Sequence, residues 1–233
     1  MIVADRKPFE EIIEKVQDVK KVLILGCGTC VAVCMAGGER EVGLLASELR
    51  MASQLEGKDI TFDELTIQRQ CDREFIEPVM DKMKEYDLVL SMACGAGVQY
   101  VAELTSPLVI KPGLNTRFIG YTVEEGQWAE NCLACGDCVL GEYGGICPKT
   151  TCSKGLLNGA CGGGNNGLCE AADGRPCAWE LIYARLKDQD RLGLLDRDPL
   201  LKDMQKKDHP MKQINPLYAA KAQEEEPVAA EQG

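Results

Sequence analysis

Thirteen cysteines and one histidine stand among the 233 residues of this chain. Sulfur ligands with almost no imidazole are typical of proteins that bind iron–sulfur clusters, and all-cysteine zinc sites are the second class that fits. The cysteines fall into two sets, an early set of five and a later set of eight within residues 132–177. The early set is Cys27, Cys30, Cys34, Cys71 and Cys94, and the later set is Cys132, Cys135, Cys138, Cys147, Cys152, Cys161, Cys169 and Cys177. We therefore treat all thirteen as candidate metal ligands.

The odd number of cysteines fits a disulfide framework poorly. The first residues, MIVADRKPFEEIIEKV, lack the basic and then apolar pattern of a signal peptide, and no apolar run of about 18 residues is present. We expect a cytoplasmic protein without membrane insertion, in which the thiols stay reduced. The net charge of −11 argues against nucleic acid and anionic membranes as partners, because both need basic patches.

Residues 1–125 are predicted to form an α/β domain. Apolar residues at helical spacing predict helices at 9–16, 42–49 and 76–83. The strand-like runs KVLIL (21–25) and DITFDELTIQ (59–68) lie between these helices, and YDLVLSMA (86–93) follows the last of them, with one or two more at 107–110 and 117–123. Mostly apolar strands that alternate with helices predict a flavodoxin-like or Rossmann-like, mostly parallel sheet covered on both faces.

Two further segments follow. Residues 126–187 are rich in cysteine and glycine and end in a helix, which would present Trp179, Ile182, Tyr183 and Leu186 on one face. With little periodic apolar pattern before that helix, this segment should need metal to fold. Residues 188–233 are predicted to be a polar tail, partly helical and partly disordered, with the lone His209 exposed to solvent.

The early cysteines follow the ends of predicted strands. Cys27 comes just after the first strand of the α/β pattern, with Cys30 and Cys34 in the next loop and helix start, Cys71 follows the second strand and Cys94 the third. Ligands of open parallel sheets bind beyond the carboxyl ends of the strands, so one metal site is predicted there. Five thiols exceed four ligands, and at least one is spare.

The loop LGCGTCV resembles the GxGxxG motif of dinucleotide-binding proteins only in part. Gly26 and Gly28 match its first two glycines, but Val31 stands at the third position and Cys30 precedes it. The backbone N–H groups at a helix start stabilise negative charge, so they suit an anionic four-thiolate cluster as well as a phosphate. This loop therefore favours a cluster over a nucleotide.

The later set begins with CxxCxxC (Cys132, Cys135 and Cys138), followed by Cys147 next to Pro148. This spacing is more typical of iron–sulfur binding than of zinc fingers, which usually pair one CxxC with another. The eight thiols are enough for two four-cysteine sites, although their order does not define the pairing. Together with the early set, we expect two or three [4Fe–4S] clusters, with zinc possible at one site.

Four stretches together resemble a known family: GCGTCVAVCMAGGEREV, MACGAGVQ, NCLACGDCVLGEYGGICPKTTCSKGLLNGACGGGNNGLCE and RPCAWELIYARLK. They resemble the iron–sulfur small subunit of acetogen-type methylenetetrahydrofolate reductase, also called the methylenetetrahydrofolate reductase C-terminal domain family. The resemblance spans roughly residues 15–190, and CPKTTCSKGLLNGACGG is its most specific part. It implies a partner subunit that carries flavin, binds the folate and transfers hydride. It also implies that this chain relays single electrons to that flavin from an external electron donor protein.

The sequence contains no acid–base pair or activated hydroxyl nucleophile that we can identify. We therefore expect a subunit of an oxidoreductase complex that is not catalytic alone. Two alternatives remain open: a zinc-stabilised docking subunit of the same complex, and a methyl-transfer protein that uses thiolate-bound zinc. The surplus fifth thiol of the early set keeps the second alternative open, because catalytic zinc sites retain an open position.

Overall fold

A computed structural model describes residues 1–207 and 210–218. Part of the predicted polar tail, including His209, lies outside the described residues. The chain forms two compact units. The first unit contains Met1–Leu133 and Cys147–Gly155, and the second contains Ala134–Ile146 and the described residues from Leu156 onward.

The described residues contain seven strands and eight α-helices, together with short 3₁₀ turns. The strands are β1 (Ile2–Arg6), β2 (Lys21–Cys27), β3 (Thr61–Ile67), β4 (Leu88–Met92), β5 (Val109–Pro112), β6 (Leu114–Glu124) and β7 (Gln127–Cys132). The helices are α1 (Phe9–Val16), α2 (Cys30–Val33), α3 (Glu39–Leu55), α4 (Arg73–Ile76), α5 (Met80–Met83), α6 (Gly95–Thr105), α7 (Pro148–Thr151) and α8 (Ala178–Asp188). None of the helices in this part of the chain combines the length and the apolarity that a membrane crossing requires.

The centre of the first unit is a parallel sheet with the strand order β3-β2-β4-β5. Within this sheet the chain begins on the inner strand β2, moves outward to β3 and then crosses to β4 and β5 on the other side, which is the order of flavodoxin-like doubly wound sheets. The predicted α/β fold with a parallel sheet is confirmed at this level.

Apolar side chains cover both faces of this sheet. On one face, Val22 and Ile24 of β2 pack in a core with residues of α1 and α3, such as Leu45. On the other face, Leu23 and Leu25 of the same strand pack in a second core with residues of α4, α5 and α6. Because successive strand residues point to opposite faces, a continuous apolar run such as KVLIL is what a strand between two helical layers needs.

A second sheet, antiparallel and with the order β1-β6-β7, was not predicted. The first residues of the chain form β1, and the predicted strand at 117–123 belongs to β6 of this sheet. Residues 127–132, which were predicted to belong to the cysteine-rich segment, form β7. The turn between β6 and β7 contains Gly126, whose φ of 81° lies in the left-handed region that glycine adopts without strain.

The predicted single helix at 76–83 is wrong in detail. The chain there forms α4, then a 3₁₀ turn over Glu77–Val79 and then α5. Pro78 lies within that turn, and proline in a helix interior removes a backbone donor and clashes with the preceding turn. The break in the helix follows from its position.

In the second unit, α8 is the only α-helix among the described residues. Trp179, Ile182 and Leu186 are buried, as the helical pattern predicted. Tyr183, which was placed on the same face, is 51% exposed and lies at the edge of that face. The rest of this unit consists of turns, short 3₁₀ segments and two isolated antiparallel bridges.

Candidate metal centres

Three early cysteines lie at the carboxyl edge of the parallel sheet or a few residues beyond it. Cys27 is the last residue of β2 and pairs with Ile67, the last residue of β3, while Gly26 pairs with Met92, the last residue of β4. Cys71 lies four residues beyond the end of β3. Cys94 lies two residues beyond the end of β4 and directly before α6. Since neighbouring strands lie about 4.8 Å apart, the ends of three adjacent strands span only about 10 Å.

Charge–charge interactions among the thiols indicate that Cys71 lies near Cys94, Cys27 and Cys30. Burial raises the pKa of the Cys71 thiol. The negative charges of the Cys94, Cys27 and Cys30 thiolates raise it further, which requires all three to be near Cys71. Cys27 is buried, Cys30 and Cys94 are half-buried, and Cys71 is exposed. The thiols thus extend from the end of the sheet to the surface.

Cys34 has a different environment from the other four. It is 5% exposed, and its Sγ accepts from the backbone N–H of Ala4 in β1 at 3.5 Å. The thiol lies 3.5 Å from the carbonyl oxygen of Ala4 and 3.6 Å from that of Val31. Burial raises its pKa above the usual value. Cys34 therefore behaves as a small core residue that bridges α2 and β1.

A buried amide fixes the backbone where the cysteines leave the sheet. Gln70, which is fully buried, donates from Nε2 to the carbonyl oxygen of Leu25 at 2.8 Å and accepts at Oε1 from the Ser91 hydroxyl at 2.6 Å. It thereby connects the loop of Cys71 to both β2 and β4. An added Cβ on Gly97 of α6 would lie 2.9 Å from Gln70 Cβ and 3.0 Å from Ala93 Cβ, so only glycine fits there without displacement.

Of the two glycines of LGCGTCV, Gly26 is required by packing in this fold. An added Cβ on Gly26 would lie 2.8 Å from Val42 Cγ2 of α3, and the Gly28 N–H donates to Ile67 O at 2.9 Å. Val31 is 1% exposed and part of the core. The helix that follows, α2, has only four residues. Such a short helix offers little dipole to a phosphate or to an anionic cluster, so the favourable helix start expected from the sequence is weak here.

Three cysteines of the later set belong to the first unit. Cys132 is the last residue of β7 and is exposed. Cys147 and Cys152 flank the single turn of α7, and the Thr150 hydroxyl donates to Cys147 Sγ at 3.4 Å. Pro148, the first residue of α7, is in the position where proline fits a helix best.

The other five later cysteines belong to the second unit. Burial opposes ionisation of Cys135, but the ammonium group of Lys202 outweighs it, and the pKa of this thiol is lowered. Cys161 Sγ accepts from the Gly163 N–H at 3.4 Å, and its thiol lies 3.6 Å from Glu170 Oε1.

Cys138 is exposed, and Cys169 and Cys177 are half-buried. The N–H groups of Cys169 and Cys177 donate to Arg175 O at 2.8 Å and to Gly167 O at 2.7 Å, which fixes both in one short loop of antiparallel bridges.

Residues 111–205 match the family described as methylene-tetrahydrofolate reductase C terminal. All eight later cysteines lie within this match, and the resemblance predicted from their motifs is confirmed there. The five early cysteines precede the matched residues. Comparison with curated proteins gave no match, and neither did comparison with solved structures.

Across residues 1–207 and 210–218, no three side chains of cysteine, histidine, aspartate or glutamate are close enough to coordinate one metal ion. The methylene-tetrahydrofolate reductase C-terminal match covers residues 111–205, and the metal content of the thirteen thiols stays a prediction. Sequence reasoning missed the structural role of Gln70 and Ser91. Only their contacts reveal it, because a single glutamine or serine near a cysteine carries no pattern.

Proposed function

We propose that this chain is an iron–sulfur electron-transfer subunit that passes electrons to a flavin-containing methylenetetrahydrofolate reductase subunit. The observation that carries the proposal is the set of thiols at the carboxyl ends of three adjacent strands, in a chain whose residues 111–205 match the reductase C-terminal family. The chain alone would not be catalytic, and an external electron donor protein would reduce it.

Cys27, Cys30, Cys71 and Cys94 would hold one [4Fe–4S] cluster. Their donor set is sulfur alone, which suits iron–sulfur clusters and zinc but not hard cations such as Mg²⁺. Cys34 would be the spare thiol, because its Sγ already contacts the backbone of β1. When bound, such a cluster supplies one-electron transfer.

The role of the chain's own residues is to hold the thiols in place and limit water. Cys27 is buried at the end of β2, and the Gln70 side chain fixes the loop that carries Cys71. The eight later cysteines would supply one or two further four-thiolate sites, with zinc possible at one of them. A chain of such sites is what electron relay between two proteins requires.

Metal analysis of anaerobically purified full-length protein tests the proposal. We expect brown protein with about eight to twelve iron atoms per chain and a similar amount of acid-labile sulfide. Cys71→Ala should lose about four iron atoms, while the matched variant Cys34→Ala should keep all of them. Colourless protein that contains only zinc would overturn the proposal. Equal iron loss in both variants would show that the assignment of Cys34 as the spare is wrong.

The flavin reductase partner provides the second measurement. In the co-purified complex, removal of iron should abolish reduction of the partner's flavin by a reduced donor protein. If flavin reduction continues at the same rate without iron, the chain has a docking role and not an electron-transfer role.

A further inference from the structure

Part of the segment after α8, which the sequence predicted to be a polar tail, packs on the loop of Cys135 in the second unit. The Asp203 N–H donates to Asp137 Oδ2 at 3.0 Å, and Nζ of Lys206 lies 3.3 Å from Asp137 Oδ1. A Cβ added to Gly136 would lie 2.7 Å from the carbonyl oxygen of Lys206, so the two backbones are in close contact. This segment therefore lies directly against the middle of the CxxCxxC motif.

Lys202 is held in this segment from both sides. On one side, the Asn158 side chain donates from Nδ2 to Leu200 O at 3.0 Å and accepts at Oδ1 from the Leu200 N–H at 2.7 Å. On the other side is the hydrogen bond from the Asp203 N–H to Asp137. The backbone is thus anchored two residues before Lys202 and one residue after it.

The ammonium group of Lys202 is buried beside the Cys135 thiol. Nζ has almost no accessible surface, and within the described part of the chain no oxygen or nitrogen atom accepts a hydrogen bond from it. Burial opposes ionisation of Cys135, but the interaction with the Lys202 ammonium group outweighs burial and lowers the pKa of this thiol. A buried charge is costly unless an opposite charge compensates it. The group that can do so for Lys202 is the sulfur of Cys135.

A positive charge at this position favours the reduced state of a cluster. A four-thiolate [4Fe–4S] cluster is anionic, and its potential depends on the net charge around it and on hydrogen bonds to its sulfurs. One-electron reduction adds a negative charge, which a nearby ammonium group stabilises.

We propose that Lys202 is the charge partner of the cluster that Cys135 would bind, and that it makes this cluster easier to reduce. The electron comes from the external donor protein and passes on to the partner's flavin, so no bond forms or breaks at Lys202. This inference rests on the proposed iron–sulfur function of the chain.

Redox titration of the anaerobically purified full-length protein, followed by electron paramagnetic resonance of the reduced clusters, tests the role of Lys202. Lys202→Met keeps a side chain of similar length without the charge. The equilibrium of one cluster should shift about tenfold toward the oxidised form, which is a potential lower by about 59 mV for one electron. The affected cluster should be the one whose signal is absent from Cys135→Ala. Lys202→Arg keeps the charge and should restore the wild-type equilibrium within about threefold.

Lys206→Met is the matched control, because it removes a neighbouring lysine that is half exposed and pairs with Asp137. It should shift the same equilibrium by less than about threefold. With equal iron in all variants, an unchanged potential in Lys202→Met, or an equal shift in Lys206→Met, would refute the role of Lys202 and leave the proposed function intact. Wild-type protein without iron would refute both. Loss of iron from Lys202→Met alone, with iron kept in Lys202→Arg and Lys206→Met, would support the charge pairing, because the ammonium group would then be needed to hold the cluster.

Discussion

Replacement of Gln70 by leucine should weaken the carboxyl edge of the parallel sheet. The leucine side chain fills a similar volume but leaves the Ser91 hydroxyl without its acceptor and the Leu25 carbonyl without this donor. The Leu25 carbonyl stays within the ladder of the central strand, so the main cost is that of the Ser91 hydroxyl left without a partner, about 1–3 kcal/mol. For a chain of this length, that corresponds to a fall in Tm of roughly 2–12 °C.

A double-mutant cycle separates this contact from general disruption of the core. Ser91→Ala removes the hydroxyl that Gln70→Leu would leave unpaired, so the double variant should be about 1–2 kcal/mol more stable than the sum of the two single effects. The free energies of unfolding are measured by urea denaturation followed by far-UV circular dichroism, with equal metal content verified in each variant. Additive effects within about 0.5 kcal/mol, or a cost of Gln70→Leu below about 1 kcal/mol, would refute the reasoning.

Three further outcomes are expected. Gly37→Ala should destabilise the protein by more than about 2 kcal/mol, because its Cβ would overlap the carbonyl oxygen of Met92. The matched change Gly43→Ala in α3, where the nearest atom is 3.4 Å away, should stabilise it by up to about 1 kcal/mol; similar urea midpoints for the two variants would contradict this. Burial and the hydrogen bond to Asp63 raise the pKa of Tyr86 to about 12, so Tyr86 adds stability that is present below pH 10 and lost as the pH rises through 12. Between pH 9 and 11 the tyrosinate absorbance at 295 nm should rise equally in wild type and Tyr86→Phe, and an extra tyrosinate in wild type would contradict the raised pKa.

The parallel sheet could be predicted because its signal is local. In KVLIL and YDLVLSMA, continuous apolar runs identify strands that are buried on both faces. The pairing of strands β1 and β6 was harder to predict, because it joins Ile2 to Ile119 across more than a hundred residues. Such pairing depends on which edges the rest of the fold leaves available, and no short window of sequence contains that information. Helix α6 begins Gly95-Ala96-Gly97, and these small residues gave too little pattern for a helix prediction.

The sequence by itself determined that sulfur dominates the chemistry of this protein and that the early cysteines follow strand ends. It also carried the motifs within residues 111–205, where the family described as methylene-tetrahydrofolate reductase C terminal matches. Only the tertiary structure decided how the early thiols differ. Cys34 is close to Cys30 along the chain, yet its thiol contacts the backbone of β1 at Ala4. The position of β1 is fixed by its pairing with β6, which is distant in sequence. Spacing along a chain limits which thiols can meet, whereas packing between distant segments determines which of them are already in contact with the core.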